Sequence, residues 1–154
     1  AELANKYYNE STVKDRILGE DRNPRQLLPE ESLLATLEQG QIDAAATYKH
    51  EAVARGLPYI TLPKEINLSD PEASNFYSQA SYALASGQIV NGTTIGFSLT
   101  LPETTKNIDG SIAFVKFLLS EKGLDMLRAD GLDPIKSVAE GDVESMPSAI
   151  KELL

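Results

Sequence analysis

The stretch LLPEESLLATLEQGQIDAAATYKHEAVARG, residues 27–56, decides the predicted fold of this chain. Its pattern predicts a short strand at Leu27-Leu28, a leucine-striped helix over residues 30–39, a buried strand over residues 42–47 and a second helix over residues 48–55. Strands that alternate with helices at this spacing indicate an α/β fold with a largely parallel sheet.

The remainder of the chain continues this alternation. Residues 57–62 and 93–101 are rich in β-forming side chains and predict two further strands, and Asn91-Gly92 predicts a hairpin turn before the second of them. A helix with a wide apolar face is predicted over residues 107–119, and another helix follows over residues 121–130. The α/β prediction therefore extends well beyond the opening stretch.

The composition limits the classes of partner. The chain has 154 residues, a formal net charge of −9 and no cysteine. This charge disfavours nucleic acid, because neutralising phosphates requires an excess of Lys and Arg. Without cysteine there is no disulfide and no thiolate metal site, and no apolar run approaches the ~18–20 residues of a membrane span. A small anion remains compatible, since a few backbone N–H groups can bind one on an acidic protein.

Two predicted helix starts are candidate anion-binding points. Helix N-termini carry unpaired N–H groups and a partial positive charge, and ligands of parallel sheets bind beyond the carboxyl ends of the strands. Glu30 and Glu31 follow one predicted strand, and Tyr48 follows the next. The two carboxylates are either ordinary first-turn residues or ligands of an electron-poor metal centre. The Tyr48 hydroxyl either donates to an anion or is structural.

Positive support for an enzyme is absent. His50 is the single histidine, and no nucleophile motif accompanies it. The sequence contains no phosphate-binding glycine loop, no serine-hydrolase elbow and no zinc-protease motif. We therefore predict a protein that is not an enzyme.

One ordered set of residues carries a family resemblance. In chain order it comprises Glu30, the leucines of 33–37, Gly40, Asp43, Tyr48-Lys49, LPYITLP at 57–63 and INL at 66–68. This order resembles the tungstate/molybdate-binding proteins of ABC importers, in their archaeal-type branch. The segment AFVKFLLSEKG, residues 113–123, is in addition similar to the C-terminal helix of many solute-binding proteins.

The resemblance implies a fold and a function. It implies a type II periplasmic-binding fold, in which mainly parallel sheets flanked by helices form two lobes that bind an oxyanion between them. The protein would bind tungstate or molybdate in the periplasm or outside the cell, and pass it to a membrane permease. A membrane anchor would lie outside this chain, and no cofactor is implied.

The resemblance also implies roles for the candidate site residues. Glu30 would supply a carboxylate ligand to the metal of the oxyanion, with Glu31 as the alternative if the register shifts by one residue. Tyr48 would contact the same ligand. The chain matches only the second half of the family, so a further carboxylate and the ligand-binding serines are expected before Ala1, in an N-terminal half of the same protein.

This match predicts a domain division. Residues 1–92 would form part of the second lobe and carry the cleft residues, residues 93–101 would cross between the lobes, and residues 102–154 would return to the first lobe. Two alternatives stay open. A receptor of the same fold could bind phosphate, iron, a sugar or a polyol, and an α/β enzyme would instead show turnover.

Overall fold

A computed structural model describes residues 1–19 and 26–154 of the chain. The elements in chain order are α1 (Glu2–Tyr7), α2 (Val13–Leu18), α3 (Glu30–Glu38), α4 (Lys49–Ala54), α5 (Lys64–Asn67), a 3₁₀ turn (Pro71–Ala73), α6 (Ser74–Tyr77), β1 (Ser81–Ala83), β2 (Ile89–Asn91), α7 (Ile108–Leu118), α8 (Glu121–Ala129) and α9 (Ser148–Lys151). Within the described residues, no helix is long and apolar enough to cross a membrane.

The chain divides into two compact units. Unit 1 contains Ala1–Ala46 and Ile60–Phe97, and unit 2 contains Thr47–Tyr59 and Ser98–Leu154. The polypeptide thus changes unit three times, and the segment that carries α4 belongs to unit 2. The predicted crossover at residues 93–101, and the assignment of segments to lobes, stay predictions.

Unit 1 is built around a fully buried tyrosine. The Tyr77 side chain has no exposed surface, its hydroxyl donates to the carbonyl of Lys64, and its oxygen accepts from the Asp70 N–H at 3.1 Å. One side chain therefore connects the first residue of α5 to the loop that separates α5 from α6. Buried Leu3, Ala4 and Leu34 complete the buried apolar set of the unit's described part.

The hairpin of unit 1 shows that the turn predicted at Asn91-Gly92 is wrong. Strands β1 and β2 pair antiparallel, with Tyr82 opposite Val90, and the turn lies within residues 84–88, where the Leu84 N–H donates to the Gln88 carbonyl at 2.8 Å. Asn91 is instead the last residue of β2. A Cβ atom at Gly92 would collide with the Tyr77 carbonyl, so this glycine permits a close backbone approach rather than a turn.

The largely parallel sheet of the prediction is not observed. The β1–β2 hairpin is the sheet formed by the described residues, and the predicted strands at 27–28, 42–47, 57–62 and 93–101 carry no strand assignment. A β-rich pattern becomes a strand only when a neighbouring strand accepts and donates its backbone hydrogen bonds. The pattern of side chains is present in these segments, but the described residues provide no neighbouring strands to pair with them.

In unit 2, α7 packs against α8 and α9. Helix α7 begins at Asn107, whose side chain accepts from the Gly110 N–H at 2.9 Å, and α8 begins at Ser120, whose hydroxyl accepts from the Gly123 N–H at 3.3 Å. These N-caps satisfy N–H groups that the helix itself leaves unpaired. A Cβ atom at Gly123 would collide with the Phe117 carbonyl, so the sharp corner between the two helices requires glycine there.

Candidate functional site

Glu30 and Glu31 lie in the first turn of α3, as the sequence predicts. Both side chains are exposed. The preceding residue, Pro29, has no side-chain acceptor, while its carbonyl accepts from the N–H groups of Ser32 and Leu33 at 3.0 Å each. The helix start therefore has no side-chain cap, and its two carboxylates lie close to the positive end of the helix dipole.

Tyr48 lies at the N-cap position of α4 in an extended conformation, with φ −75° and ψ 143°. Its side chain is 42% exposed. The aromatic ring stacks against His50, with centroids 5.7 Å apart and planes inclined by 23°. The start of the second helix therefore agrees with the prediction, and the hydroxyl-bearing ring is held beside the single histidine of the chain.

A residue that the sequence analysis missed, Glu51, occupies the start of α4. Its carboxylate accepts from the Tyr48 N–H at 3.2 Å and from the Thr47 hydroxyl in a short hydrogen bond. An anion at this helix start would therefore lie beside a carboxylate that already accepts from the Tyr48 N–H and the Thr47 hydroxyl. The signal was present in the sequence, because a Glu three residues after the N-cap is the spacing of a capping box.

Helix α4 is tied to the segment after α8 within unit 2. The Lys49 ammonium contacts the Asp133 carboxylate at 3.1 Å, and the buried Gly131 lies against α4 so closely that an added Cβ would be 2.8 Å from Cγ2 of Val53. Lys49 and Asp133 were not predicted to interact, because they are distant in sequence. Together with the close approach of Gly131 to Val53, their contact joins the helix that follows Tyr48 to the segment after α8.

The predicted site residues are divided between the two units. Glu30 and Glu31 belong to unit 1, and Tyr48 belongs to unit 2. Among the described residues, no group of three or more His, Asp or Glu side chains could hold a metal ion. The roles assigned to Glu30, Glu31 and Tyr48 therefore stay predictions, although their positions at helix starts agree with the sequence analysis.

Comparison with known proteins places these features in a family. Residues 1–133 match the family described as bacterial extracellular solute-binding protein. An uncharacterized solute-binding protein of Petrotoga mobilis is 30% identical over 158 aligned positions, which cover 99% of this chain and 49% of that protein. A molybdate/tungstate-binding protein of Pyrococcus abyssi is 37% identical over 81% of this chain and 36% of its own length.

A third relative, a putative ABC transporter molybdenum-binding protein of Haloferax volcanii, is 39% identical over 64% of this chain. The chain thus spans half or less of the length of these relatives. The family is a class of transport proteins rather than a class of enzymes, and the resemblance predicted from the sequence is confirmed at this level. The chain belongs to the bacterial extracellular solute-binding protein family.

Proposed function

We propose that this chain is part of the solute-binding component of an ABC importer for tungstate or molybdate. The observation that carries the proposal is the 37% identity to the molybdate/tungstate-binding protein of Pyrococcus abyssi over 127 residues. The putative molybdenum-binding relative of Haloferax volcanii supports the same solute class. The permease of such an importer is the expected membrane partner.

The proposal gives Glu30 a specific chemical role. A carboxylate beside a dianion is repulsive at close range, so Glu30 favours binding only if its oxygen bonds directly to an electron-poor metal atom at the centre of the oxyanion. Tungsten and molybdenum can accept additional oxygen ligands, whereas the sulfur of sulfate cannot. The exposed Glu30 side chain is available for such a bond, and Glu31 is the alternative ligand.

Tyr48 would act as a neutral donor. Hydrogen bonds to a charged acceptor are stronger than those between neutral groups, so a phenol hydroxyl can bind an oxyanion without adding a charge. We propose that the chain is part of a two-lobed fold, that residues of an N-terminal half complete its cleft, and that an anchor outside this chain holds the protein at the membrane, in the periplasm or outside the cell. Stacking on His50 restricts the positions of the Tyr48 ring.

Thermal unfolding of the chain with tungstate, molybdate, sulfate and buffer alone tests this proposal. A ligand that binds only the folded state at about 100 times its Kd adds about 2.7 kcal/mol to the free energy of unfolding, which raises the Tm by several degrees. We expect such a rise with tungstate or molybdate and none with sulfate. Equal shifts with all three anions would contradict the proposal, as would no shift in a full-length protein that includes the N-terminal half.

One observation favours a second candidate. The Glu51 carboxylate already occupies the start of α4, and the chain carries a net charge of −9, so a neutral or cationic solute would meet less repulsion there. A receptor of the same fold for iron, a sugar or a polyol is therefore the alternative. Phosphate is the alternative with the least electrostatic support. The same unfolding assay with these solutes separates the candidates.

A further inference from the structure

Asn91-Gly92 is the single Asn-Gly pair of the sequence, and unit 1 uses it at the end of β2 rather than in a turn. In such a pair the glycine backbone nitrogen can attack the side-chain Cγ of the asparagine, because glycine has no Cβ to hinder the approach. The Asn91 side chain is exposed, whereas Gly92 is half-buried. The carboxamide is therefore accessible to water while the attacking nitrogen is partly covered.

The attacking nitrogen is held by a hydrogen bond in the folded chain. The Gly92 N–H donates to the Ala80 carbonyl at 2.8 Å, and Asn91 is paired with Ser81 across the hairpin. A five-membered ring between the Asn91 side chain and the Gly92 nitrogen requires a ψ angle outside the extended range of a β-strand. The ring can therefore close only after the N–H has left its acceptor and Asn91 has left the strand conformation.

The packing of unit 1 also requires the reactive pair. A Cβ atom at Gly92 would collide with the carbonyl of the buried Tyr77. A larger residue after Asn91 would slow the attack on the carboxamide, but this close approach excludes it. The fold thus demands glycine at the position that makes Asn91 reactive, and the same contacts keep the pair in an unreactive conformation.

We propose that Asn91-Gly92 is a deamidation site that reacts only when β2 separates from the rest of unit 1, and whose isoaspartate product keeps the unit open. In the open form the Gly92 nitrogen loses its proton and bonds to the Asn91 Cγ, while the Cγ–Nδ2 bond breaks and ammonia leaves. Water then opens the resulting succinimide at either of its carbonyls. The products are aspartate, with the original backbone, and isoaspartate, in which the backbone runs through Cβ and Cγ.

Isoaspartate prevents the end of β2 from closing again. It lengthens the path from the Cα of residue 91 to the Gly92 nitrogen by one bond of about 1.5 Å. The 2.8 Å hydrogen bond to Ala80 and the close approach to the Tyr77 carbonyl cannot both accommodate that displacement. The reaction therefore records a past opening of unit 1 as a permanent covalent change, whichever solute the protein binds.

The test follows deamidation of the 154-residue chain in mildly alkaline buffer without any solute. Mass spectrometry of the peptide that contains Asn91 gives the rate, and native-state hydrogen exchange gives the opening of the Gly92 amide. We expect the folded chain to react at least about ten-fold more slowly than the chain unfolded in urea. The protection factors for deamidation and for Gly92 exchange should agree within about three-fold across sub-denaturing urea concentrations.

Two tyrosine substitutions change the opening selectively. Tyr77→Phe removes a hydroxyl group that forms hydrogen bonds inside unit 1, so it should accelerate both Gly92 exchange and deamidation by about two- to ten-fold. Tyr59→Phe, in unit 2, is the matched control and should change neither rate. If Tyr77→Phe does not fold, the urea series on the unaltered chain decides the question.

The variant Asn91→Asp separates the added charge from the lengthened backbone, because it carries the charge on a normal backbone. We expect this variant to keep the protection of the Gly92 amide within about three-fold, and the purified isoaspartate form to lose about ten-fold or more.

Three results would overturn the proposal. They are deamidation that is equally fast in the folded and the unfolded chain, deamidation that stays constant while Gly92 exchange accelerates, and an isoaspartate form that retains full protection at Gly92. All of these measurements are made without an oxyanion, so their outcome is independent of the proposed solute.

Discussion

At the scale of single residues, a substitution at Glu30 distinguishes a role of this side chain as a ligand of the oxyanion from a purely structural role. The side chain is exposed and is a first-turn residue of α3, so Glu30→Gln should change the free energy of unfolding by less than about 0.5 kcal/mol. If Glu30 bonds to the metal of the oxyanion, the same substitution weakens tungstate binding by about ten-fold or more. Calorimetric titration and thermal unfolding of one preparation measure both quantities.

Glu31→Gln is the matched control for this prediction. The two carboxylates are adjacent, exposed and equally close to the start of α3, so a general loss of negative charge would affect affinity similarly in both variants. A selective effect of Glu31→Gln would move the ligand role to Glu31. Parallel losses of stability and affinity in the Glu30 variant would contradict the direct-ligand role.

Tyr77 is the residue on which the packing of unit 1 most depends. Tyr77→Phe keeps the buried ring but removes the hydroxyl group, which donates to the Lys64 carbonyl and accepts from the Asp70 N–H. Loss of a hydrogen bond between part-buried groups costs about 0.5–1.5 kcal/mol. We expect the Tm to fall accordingly, and Tyr59→Phe, at a half-exposed tyrosine, to have little effect. Equal effects of the two substitutions would show that the Tyr77 hydroxyl is not a structural contact.

At the scale of elements, the contact between α4 and the end of α8 is tested by a pair of glycines. Gly131 and Gly141 have φ values of +84° and +81°, so alanine is strained at both positions by a similar amount. Only at Gly131 would the new Cβ lie 2.8 Å from Cγ2 of Val53, whereas it meets open space at Gly141. Gly131→Ala should therefore be the more destabilising substitution by about 1 kcal/mol or more.

Chemical denaturation of the two alanine variants measures this difference. The Gly141 variant reports the backbone strain alone, and the Gly131 variant reports strain plus the clash with α4. If both variants lose the same free energy of unfolding, α4 does not pack against this turn in solution.

The loop before α9 gives a prediction about pH. The Ser145 hydroxyl donates to Asp142 at 2.6 Å, and this hydrogen bond, with a weaker one from the Ser145 N–H, lowers the pKa of Asp142 below its ordinary value of 3.8. The associated stabilisation is present above pH 3.8 and is lost as the pH falls through the lower pKa of the folded state. Ser145→Ala should return the pKa of Asp142 towards 3.8, which an NMR titration of its carboxyl carbon would detect.

Local and non-local elements differ in how well the sequence predicts them. Helices α3, α7 and α8 were predicted to within two residues, because the apolar spacing lies inside each segment and capping side chains mark the starts of α7 and α8. The predicted strands depend on neighbours that the segment itself does not specify. Asn91-Gly92 was misassigned for a related reason, since the need for glycine arises from the Tyr77 carbonyl, which is distant in sequence.

The candidate site likewise combines positions that a local sequence pattern predicts with contacts that no local pattern predicts. The positions of Glu30 and Tyr48 at helix starts followed from the sequence pattern. The contact of Lys49 with Asp133 joins residues 84 positions apart, and no local pattern predicts it. Glu51 was predictable from capping spacing, yet its effect on an anion becomes evident only once its carboxylate is seen to accept from the Tyr48 N–H.

At the scale of the whole molecule, the chain matches only part of the length of its relatives, and it also exposes large apolar side chains. The chain spans 49% of its Petrotoga mobilis relative, and apolar side chains such as Ile60, at 92% exposure, are uncovered. In the proposed two-lobed fold, such surfaces would be covered by the part of the family that this chain does not match. We therefore expect solute affinity to be higher in the full-length protein than in this chain.

The most direct test of the central claim is a calorimetric titration of tungstate into the natural gene product in which this sequence occurs, with sulfate as the competing anion. The account predicts saturable binding of one tungstate per protein that an excess of sulfate does not displace. Absence of tungstate binding, or its displacement by sulfate at comparable concentrations, would contradict the assignment of this chain to an importer for tungstate or molybdate.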